Sequence, residues 1–235
     1  MSRLRVLAVI PARGGSKRIP RKNIRHFAGQ PILHWPIKAA LDAQLFDAVM
    51  VSTDDEEVAA IAREAGADVP FMRSAASADD HSSLLDVLAE VVGTYQQRGE
   101  DFDTVCCLLP TAALVTADRL RLGHDMFATG EFDSVFPVVR FLAPIQRALR
   151  RSDEGMISMF QPEHYRSRSQ DLEPAYHDAG QFYWMSRQAC IDRTPTFAGR
   201  AGSIVVDETE VQDIDTDVDW RLAELKHRLI HHGDL

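Results

Sequence analysis

The sequence predicts an α/β protein built on a doubly wound, mostly parallel sheet with a smaller insertion. Three observations predict it. Short apolar runs alternate with helix-period stretches through the first half of the chain, the first run empties into a glycine- and cation-rich loop, and a polar, irregular stretch interrupts the second half. The 235 residues are 45% hydrophobic, 26% charged and 8% aromatic, which is ample for a buried core. Disorder, a collagen-like chain and a disulfide miniprotein are excluded. No Pro/Ser/Gly-rich linker divides the chain, so residues 1–235 read as one domain.

Val6 to Ile10 is an uninterrupted apolar run, read as a strand buried on both faces. A helix-period stretch follows from about His34 to Leu45, then a strand at Ala48 to Ser52. A helix from Asp54 to Ala65 is stopped by Gly66; another from Ser82 to Gln97 precedes a strand at Asp103 to Leu109. After Asp133 the pattern changes. SVFPVVR and GQFYWM read as strands, and Ala143 to Tyr176 reads as an insertion over the sheet with a hairpin around Asp153 to Gly155. Thr216 to His231 reads as a closing amphipathic helix with Trp220, Leu222, Leu225 and Leu229 inward.

Thirty-five acidic residues against 26 basic ones give a net charge of −9, which argues against a nucleic-acid partner because backbone neutralisation needs a basic surface. Cys106, Cys107 and Cys190 form no CxxC pair and read as packing residues of a reduced compartment. The opening MSRLRVLAVI imitates a signal peptide, but its apolar run is too short, and no stretch approaches the ~18 residues needed to span a bilayer. A cytoplasmic protein with no membrane partner is expected.

PARGGSKRIPRKN, Pro11 to Asn23, joins Gly14 and Gly15 to Arg13, Lys17, Arg18, Arg21 and Lys22. In an acidic protein such clustering asks for an anion. A loop leaving the carboxyl end of a strand presents backbone N–H groups, and with these cations it can hold a polyphosphate at the switch point of an open sheet. The glycines are read as permitting a tight turn. The segment matches neither GxxxxGK[ST] nor GxGxxG. The competing reading is a solvated basic loop.

This loop resembles the nucleotide loop of the CMP-acylneuraminate synthetase family of cytidylyltransferases. STDDEE at Ser52 to Glu57, LLPTA at Leu108 to Ala112, RSQDLEP at Arg168 to Pro174 and HDAGQFYW at His177 to Trp184 extend the resemblance over almost the whole chain. The last two resemble the branch that activates pseudaminic acid. The resemblance implies a Rossmann-like nucleotidyltransferase that joins CTP to the anomeric hydroxyl of a nine-carbon keto sugar acid, releases pyrophosphate, uses Mg²⁺ and works as a homodimer. The insertion would then supply part of the sugar pocket and of the dimer interface. Synthetases for neuraminic acid, legionaminic acid or KDO are the enzymatic alternatives; a catalytically silent nucleotide-binding module is the other.

By the same resemblance Arg13 and Lys22 hold the triphosphate, within a nucleotide-binding loop that also takes in Ala12, Gly14, Gly15 and Ser16, while Asn23 and Arg73 contact the cytidine. Physical chemistry supports the cations, since charge on a transferring phosphoryl group must be met by fixed positive groups. Ser82 lies where the family has a loop near the base, with Asp79, Asp80 and His81 just before it; Ser82 is equally an N-cap with Asp86 nearby. Where the family often has Gln before its Pro-Thr, this chain has Leu109, which removes that base contact.

Asp213 and Asp215 stand two apart in an extended segment, so their side chains face the same way. Two convergent carboxylates make a hard oxygen site for Mg²⁺, and the family's aspartate pair matches them. The competing reading has Asp215 or Thr216 capping the last helix. Arg13, Lys22 and Asp215 are therefore the expected catalytic residues. Arg168 resembles the arginine facing the sugar acid, where a fork of donors suits a planar carboxylate, with Arg166 as a second candidate. Asp178, Gln181 and Tyr183 are expected to read the sugar's polar groups, with His177 beside them. No HExxH, zinc spacing or GxSxG elbow is present, which leaves Ser16 without a hydrolase context.

Overall fold

The computed structural model describes residues 4–16, 18–77 and 82–232. Lys17, Asp79, Asp80 and His81, singled out above, lie outside them. The chain opens with strand β1 (Val6–Pro11) and passes through the glycine loop to a small ribbon, β2 (His26–Phe27) and β3 (Gln30–Pro31). Helix α1 (His34–Ala43), β4 (Ala48–Ser52), α2 (Glu56–Glu64), α3 (Leu84–Gln97), β5 (Thr104–Leu108) and α4 (Ala117–Ala128) follow. The second half holds β6 (Ser134–Arg140), β7 (Leu149–Arg151), β8 (Ile157–Met159), β9 (Tyr176–Asp178), β10 (Phe182–Ser186), α5 (Arg187–Ile191), β11 (Ala201–Val205) and α6 (Asp217–His232).

The main sheet has the order β11-β6-β10-β5-β1-β4. Strand β1 pairs parallel with β4 and β5, and β11 pairs parallel with β6. Strand β10 is inverted, running antiparallel to both β5 and β6. Strand β9 continues the same antiparallel path along β6, pairing Val138 with Asp178 and Arg140 with Tyr176.

Both faces are covered, as the unbroken apolar run of β1 demands. Ala8 and Ile10 pack with Ala40 of α1, Ala59 of α2 and Leu120 of α4; Leu7 and Val9 pack with Leu88 of α3 and Cys190 of α5. Phe182 and Trp184 join the first layer and Tyr183 the second, so all three aromatics of β10 are packed, on alternating sides. Gly123 of α4 makes room for two of them: a Cβ there would stand 2.8 Å from Phe182 and 3.0 Å from Trp184. All three cysteines are free and buried.

Several boundaries move for capping reasons. Helix α2 begins at Glu56 because Asp55 caps it, accepting from the N–H of Glu57 and Val58. Helix α3 is capped by Ser83 rather than Ser82; Ser83 and Asp86 form a reciprocal capping box. The hairpin in the insertion is present, with β7 antiparallel to β8 and Gly155 at φ 87° in its turn.

Helix α6 departs further from expectation. Its inward stripe is Trp220, Ala223 and His227, set against Phe27 and Trp35, while Leu222 and Leu225 are exposed. The helix carries two apolar stripes, and packing selects the one whose residues flank the large indole of Trp220. No helix among the described residues is long and apolar enough to cross a membrane.

Candidate active site

Strands β1, β4 and β5 end at Pro11, Ser52 and Leu108 on one edge of the sheet, and the inverted β10 begins on that edge. A cleft of about 470 Å³ opens there, with Arg13, Ser16, Lys22 and Asn23 on one side and Pro110 and Thr111 on the other. This is the place where an open α/β sheet binds ligands, outside the carboxyl ends of its strands.

The loop is tied down along its length. The Gly14 N–H donates to Asp54 Oδ1 at 3.0 Å. Neither Gly14 nor Gly15 has a positive φ, so the tight-turn expectation is corrected: glycine is required at 14 because a Cβ would stand 2.5 Å from Asp55 Oδ2. Arg21 sits in the left-handed region at φ 54° and pairs with both Asp55 and Glu57. Asn23 is buried and donates from Nδ2 to the Arg13 carbonyl at 2.9 Å, which fixes the backbone of one cleft residue through the amide of another.

Arg73 is 8% exposed and grips the end of β4, with Nε 3.0 Å from Ser52 Oγ and Nη2 2.5 Å from the Ser52 carbonyl. Burial pulls its pKa below the usual arginine value, opposed by Asp54 and Glu90 and reinforced by nearby Arg13. The buried Ala12 donates its N–H to the same Ser52 carbonyl at 2.9 Å. Ser82 is placed elsewhere: it lines a separate cavity of about 630 Å³ beside α3, with Asp86, Glu90, Thr94 and Arg193.

Asp215 comes to the loop from the far end of the sequence. Its carboxylate pairs with Arg18 and lies 3.6 Å from Lys22 Nζ, which also donates to the Ile214 carbonyl. Capping of α6 falls to its neighbours. Asp219 accepts from the N–H groups of Asp215 and Thr216, at 3.1 and 2.8 Å, and Thr216 Oγ1 accepts from the Asp219 N–H. The Asp215 side chain is thus free of helix duty, and Asp213 is exposed two residues before it.

On the β10 side, Tyr183 donates to Asp178 Oδ2 and the Gly180 N–H to Asp178 Oδ1. Burial drives the Tyr183 pKa up; its bond to Asp178 and the charge of Asp213 add to the shift. Gln181 corrects an expectation. It is 2% exposed, accepts from Arg119 Nη1 at 3.2 Å and donates to the Glu210 carbonyl at 2.8 Å, so its amide is consumed inside the wall. His177 is exposed against Phe141. Arg166 and Arg168 stand exposed in the insertion, and no hydrogen bond or ion pair among the described residues joins either to the cleft.

The family model described as cytidylyltransferase matches residues 7–189. The chain belongs to the cytidylyltransferase family. It is 39% identical over 227 residues to the pseudaminic acid cytidylyltransferase of Campylobacter jejuni, covering 97% of this chain and 98% of that one. It is 32% identical over 230 residues to the CMP-N,N'-diacetyllegionaminic acid synthase of Legionella pneumophila, covering 94% and 95%. The solved structure of a CMP:2-keto-3-deoxy-manno-octonic acid synthetase complexed with CTP superposes with a TM-score of 0.68 over 94% of this chain and 97% of that one, at 16% identity. That likeness establishes the Rossmann-like nucleotidyltransferase fold.

As a cytidylyltransferase the chain is a CTP-dependent enzyme, and its cleft contains parts that pattern reading passes over. Arg119, 7% exposed, joins the Leu114 carbonyl, Gln181 and the Glu210 carboxylate, which lies 2.7 Å away. Burial lowers its pKa and Glu210 opposes that. This one guanidinium ties the loop after β5, the start of β10 and the segment leading to Asp213 and Asp215. Nothing in the sequence around Arg119 marks it, because an arginine on a helix reads as surface.

Proposed function

We propose that this cytidylyltransferase transfers CMP from CTP to the anomeric hydroxyl of pseudaminic acid and releases pyrophosphate. The observation that carries the reading is the meeting of Lys22 and Asp215: a cation from the first loop and a carboxylate from the end of the chain converge beside one cleft. Identity to the Campylobacter jejuni enzyme over nearly all of both chains supports the sugar.

In this reading Arg13 and Lys22 face the triphosphate and neutralise the charge that builds on the α-phosphoryl group as the sugar hydroxyl attacks in line. Such catalysis is mostly positioning and fixed charge. Arg73 and Asn23 shape the cytidine side, and Asp178 and Tyr183 face the sugar. Arg168 would hold the sugar carboxylate as the insertion folds over it.

Asp213 and Asp215 suit Mg²⁺ as a donor set, since that ion takes one or two carboxylates and completes its shell with substrate oxygens and water. The described residues form no cluster of three or more metal-ligating side chains that would hold it unaided. When bound it would supply further positive charge to the phosphate oxygens.

The insertion also exposes Leu149, Met156, Ile157, Phe160 and Tyr165, and Leu142 stands exposed just before it, each more than half accessible. Covering them with a second copy gives a homodimer, within a single cytidylyltransferase domain working in the cytoplasm. The test of function is pyrophosphate release from CTP with a panel of sugar acids. Pseudaminic acid should be turned over fastest; preference for legionaminic, N-acetylneuraminic acid or KDO would reassign the substrate.

A further inference from the structure

The motif STDDEE takes no part in the reaction as proposed, yet Asp54, Asp55 and Glu57 all contact the phosphate loop. Asp55 in particular touches the loop near both ends. Gly14 packs so closely on its side chain that a Cβ would stand 2.8 Å from Asp55 Cβ, and Arg21 reaches it through both terminal guanidinium nitrogens, Nη2 lying 3.3 Å from Oδ1. The carboxylate is itself rigid, because Oδ1 accepts from the Glu57 and Val58 N–H groups at 2.9 and 3.0 Å as the cap of α2.

Arg21 explains what such an anchor is for. Its backbone is left-handed, a conformation that costs a non-glycine residue about 1 kcal/mol or more. Local preference would place Gly or Asn there. The Arg21 carbonyl accepts from the N–H groups of Ile24 and Arg25, both at 3.0 Å, so this conformation starts the turn that carries Lys22 and Asn23. Holding the Arg21 side chain against α2 therefore aims its two successors.

The same contacts sort the loop's cations. Arg21 is neutralised by Asp55 and Glu57 and does not line the cleft, whereas Arg13 and Lys22 do. The bond to Arg21 is also the main reason the Asp55 carboxyl is held below the usual carboxylate range, ahead of its bonds to Val58 and Glu57.

We propose that Asp55 is a positioning residue for nucleotide binding: by clamping Arg21 and seating Gly14 on a fixed helix cap, it presets the loop that presents Lys22 and Asn23. The inference rests on the reading of that loop as the triphosphate site.

Asp55→Asn separates the clamp from the cap, because Asn caps a helix about as well as Asp but cannot pair with Arg21 as an anion. Its melting temperature should stay close to that of the wild type, while the CTP Kd measured by calorimetry and the KM for CTP rise on the order of tenfold, the size expected for a lost charge-assisted contact. The sugar KM should not move. Arg21→Gly relieves the left-handed strain and removes the same clamp; it should weaken CTP to a similar degree, Arg21→Lys should recover part of the loss, and the double variant Asp55→Asn/Arg21→Gly should be no worse than either single one.

CTP affinity at the wild-type level in Asp55→Asn, or tighter binding in Arg21→Gly, would overturn the proposal. So would a uniform loss for CTP and sugar together with a lowered melting temperature, which marks plain destabilisation. Wild-type protein that binds CTP but leaves pseudaminic acid untouched would defeat the proposed function and leave this inference standing, since its readout is CTP binding. Absence of CTP binding by the wild type would remove both.

Discussion

The Tyr183 hydroxyl donates to Asp178 Oδ2 across 2.6 Å, linking the first residues of the inverted strand to the end of β9 on the same rim. Tyr183→Phe keeps the ring's packing and deletes that bond, at a cost in stability of about 1 kcal/mol. In pyrophosphate-release kinetics the sugar KM should rise several-fold with the CTP KM unchanged. Equal shifts in both would place Tyr183 outside the sugar site.

Lys22→Ala and Arg13→Ala should fold and lose turnover by ~10²-fold or more, as expected when a preorganised charge is removed from a phosphoryl-transfer site. Purified variants with near-normal kcat would show that the triphosphate lies elsewhere.

Asp215 and Asp217 are two residues apart but differently employed: Asp215 faces Lys22 and Arg18, while Asp217 pairs with Arg25 at 2.6 Å in the first turn of α6. Initial rates titrated with Mg²⁺ should show a strong loss and a shifted metal dependence for Asp215→Asn and little change for Asp217→Asn. Two equal, small effects would argue for a structural role of both.

Arg119→Ala strips Gln181 of a donor inside the wall and leaves Glu210 without its cation. Because Glu210 is about a third exposed, the loss should be nearer 2 kcal/mol than the larger cost of a fully buried pair. Urea unfolding measures it, and a change below about 0.5 kcal/mol would mean that water replaces the guanidinium without penalty.

Burial pushes the Cys190 thiol up to about 12 and raises the Cys106 and Cys107 thiols as well. Raised values mean that the reactive thiolate is essentially unpopulated at neutral pH and stays so well into the alkaline range. Native protein should resist thiol reagents, with all three groups reacting once denaturant is added; rapid native labelling of any of them would contradict the packing described.

What the sequence reveals follows from how plainly a residue's type states its environment. The strands β1, β4 and β5 are legible because they are apolar on both faces, and the cationic loop stands out against an acidic chain. Helix α4 is hidden, since its buried positions include Arg119 and Gly123 and so blur the apolar period. Helix α6 misleads in the opposite way, offering Leu222 and Leu225 on a stripe that packing does not use. Among the site's parts, a polar residue such as Gln181 reads the same whether it faces a ligand or a buried arginine. Only the fold reveals that Arg119 waits behind it.

The inverted path along β6 has a consequence for how the insertion can vary. Arg140 and Tyr176, where the chain leaves and rejoins the sheet, are a registered pair, so everything between them is a loop already closed at its base. The entropy of closing such a loop grows only with the logarithm of its length, about 0.6 kcal/mol for each doubling. Residues can therefore be added or removed at the β7–β8 tip while the sheet and the cationic loop keep their stability, which makes the insertion the cheapest part of this molecule to redesign.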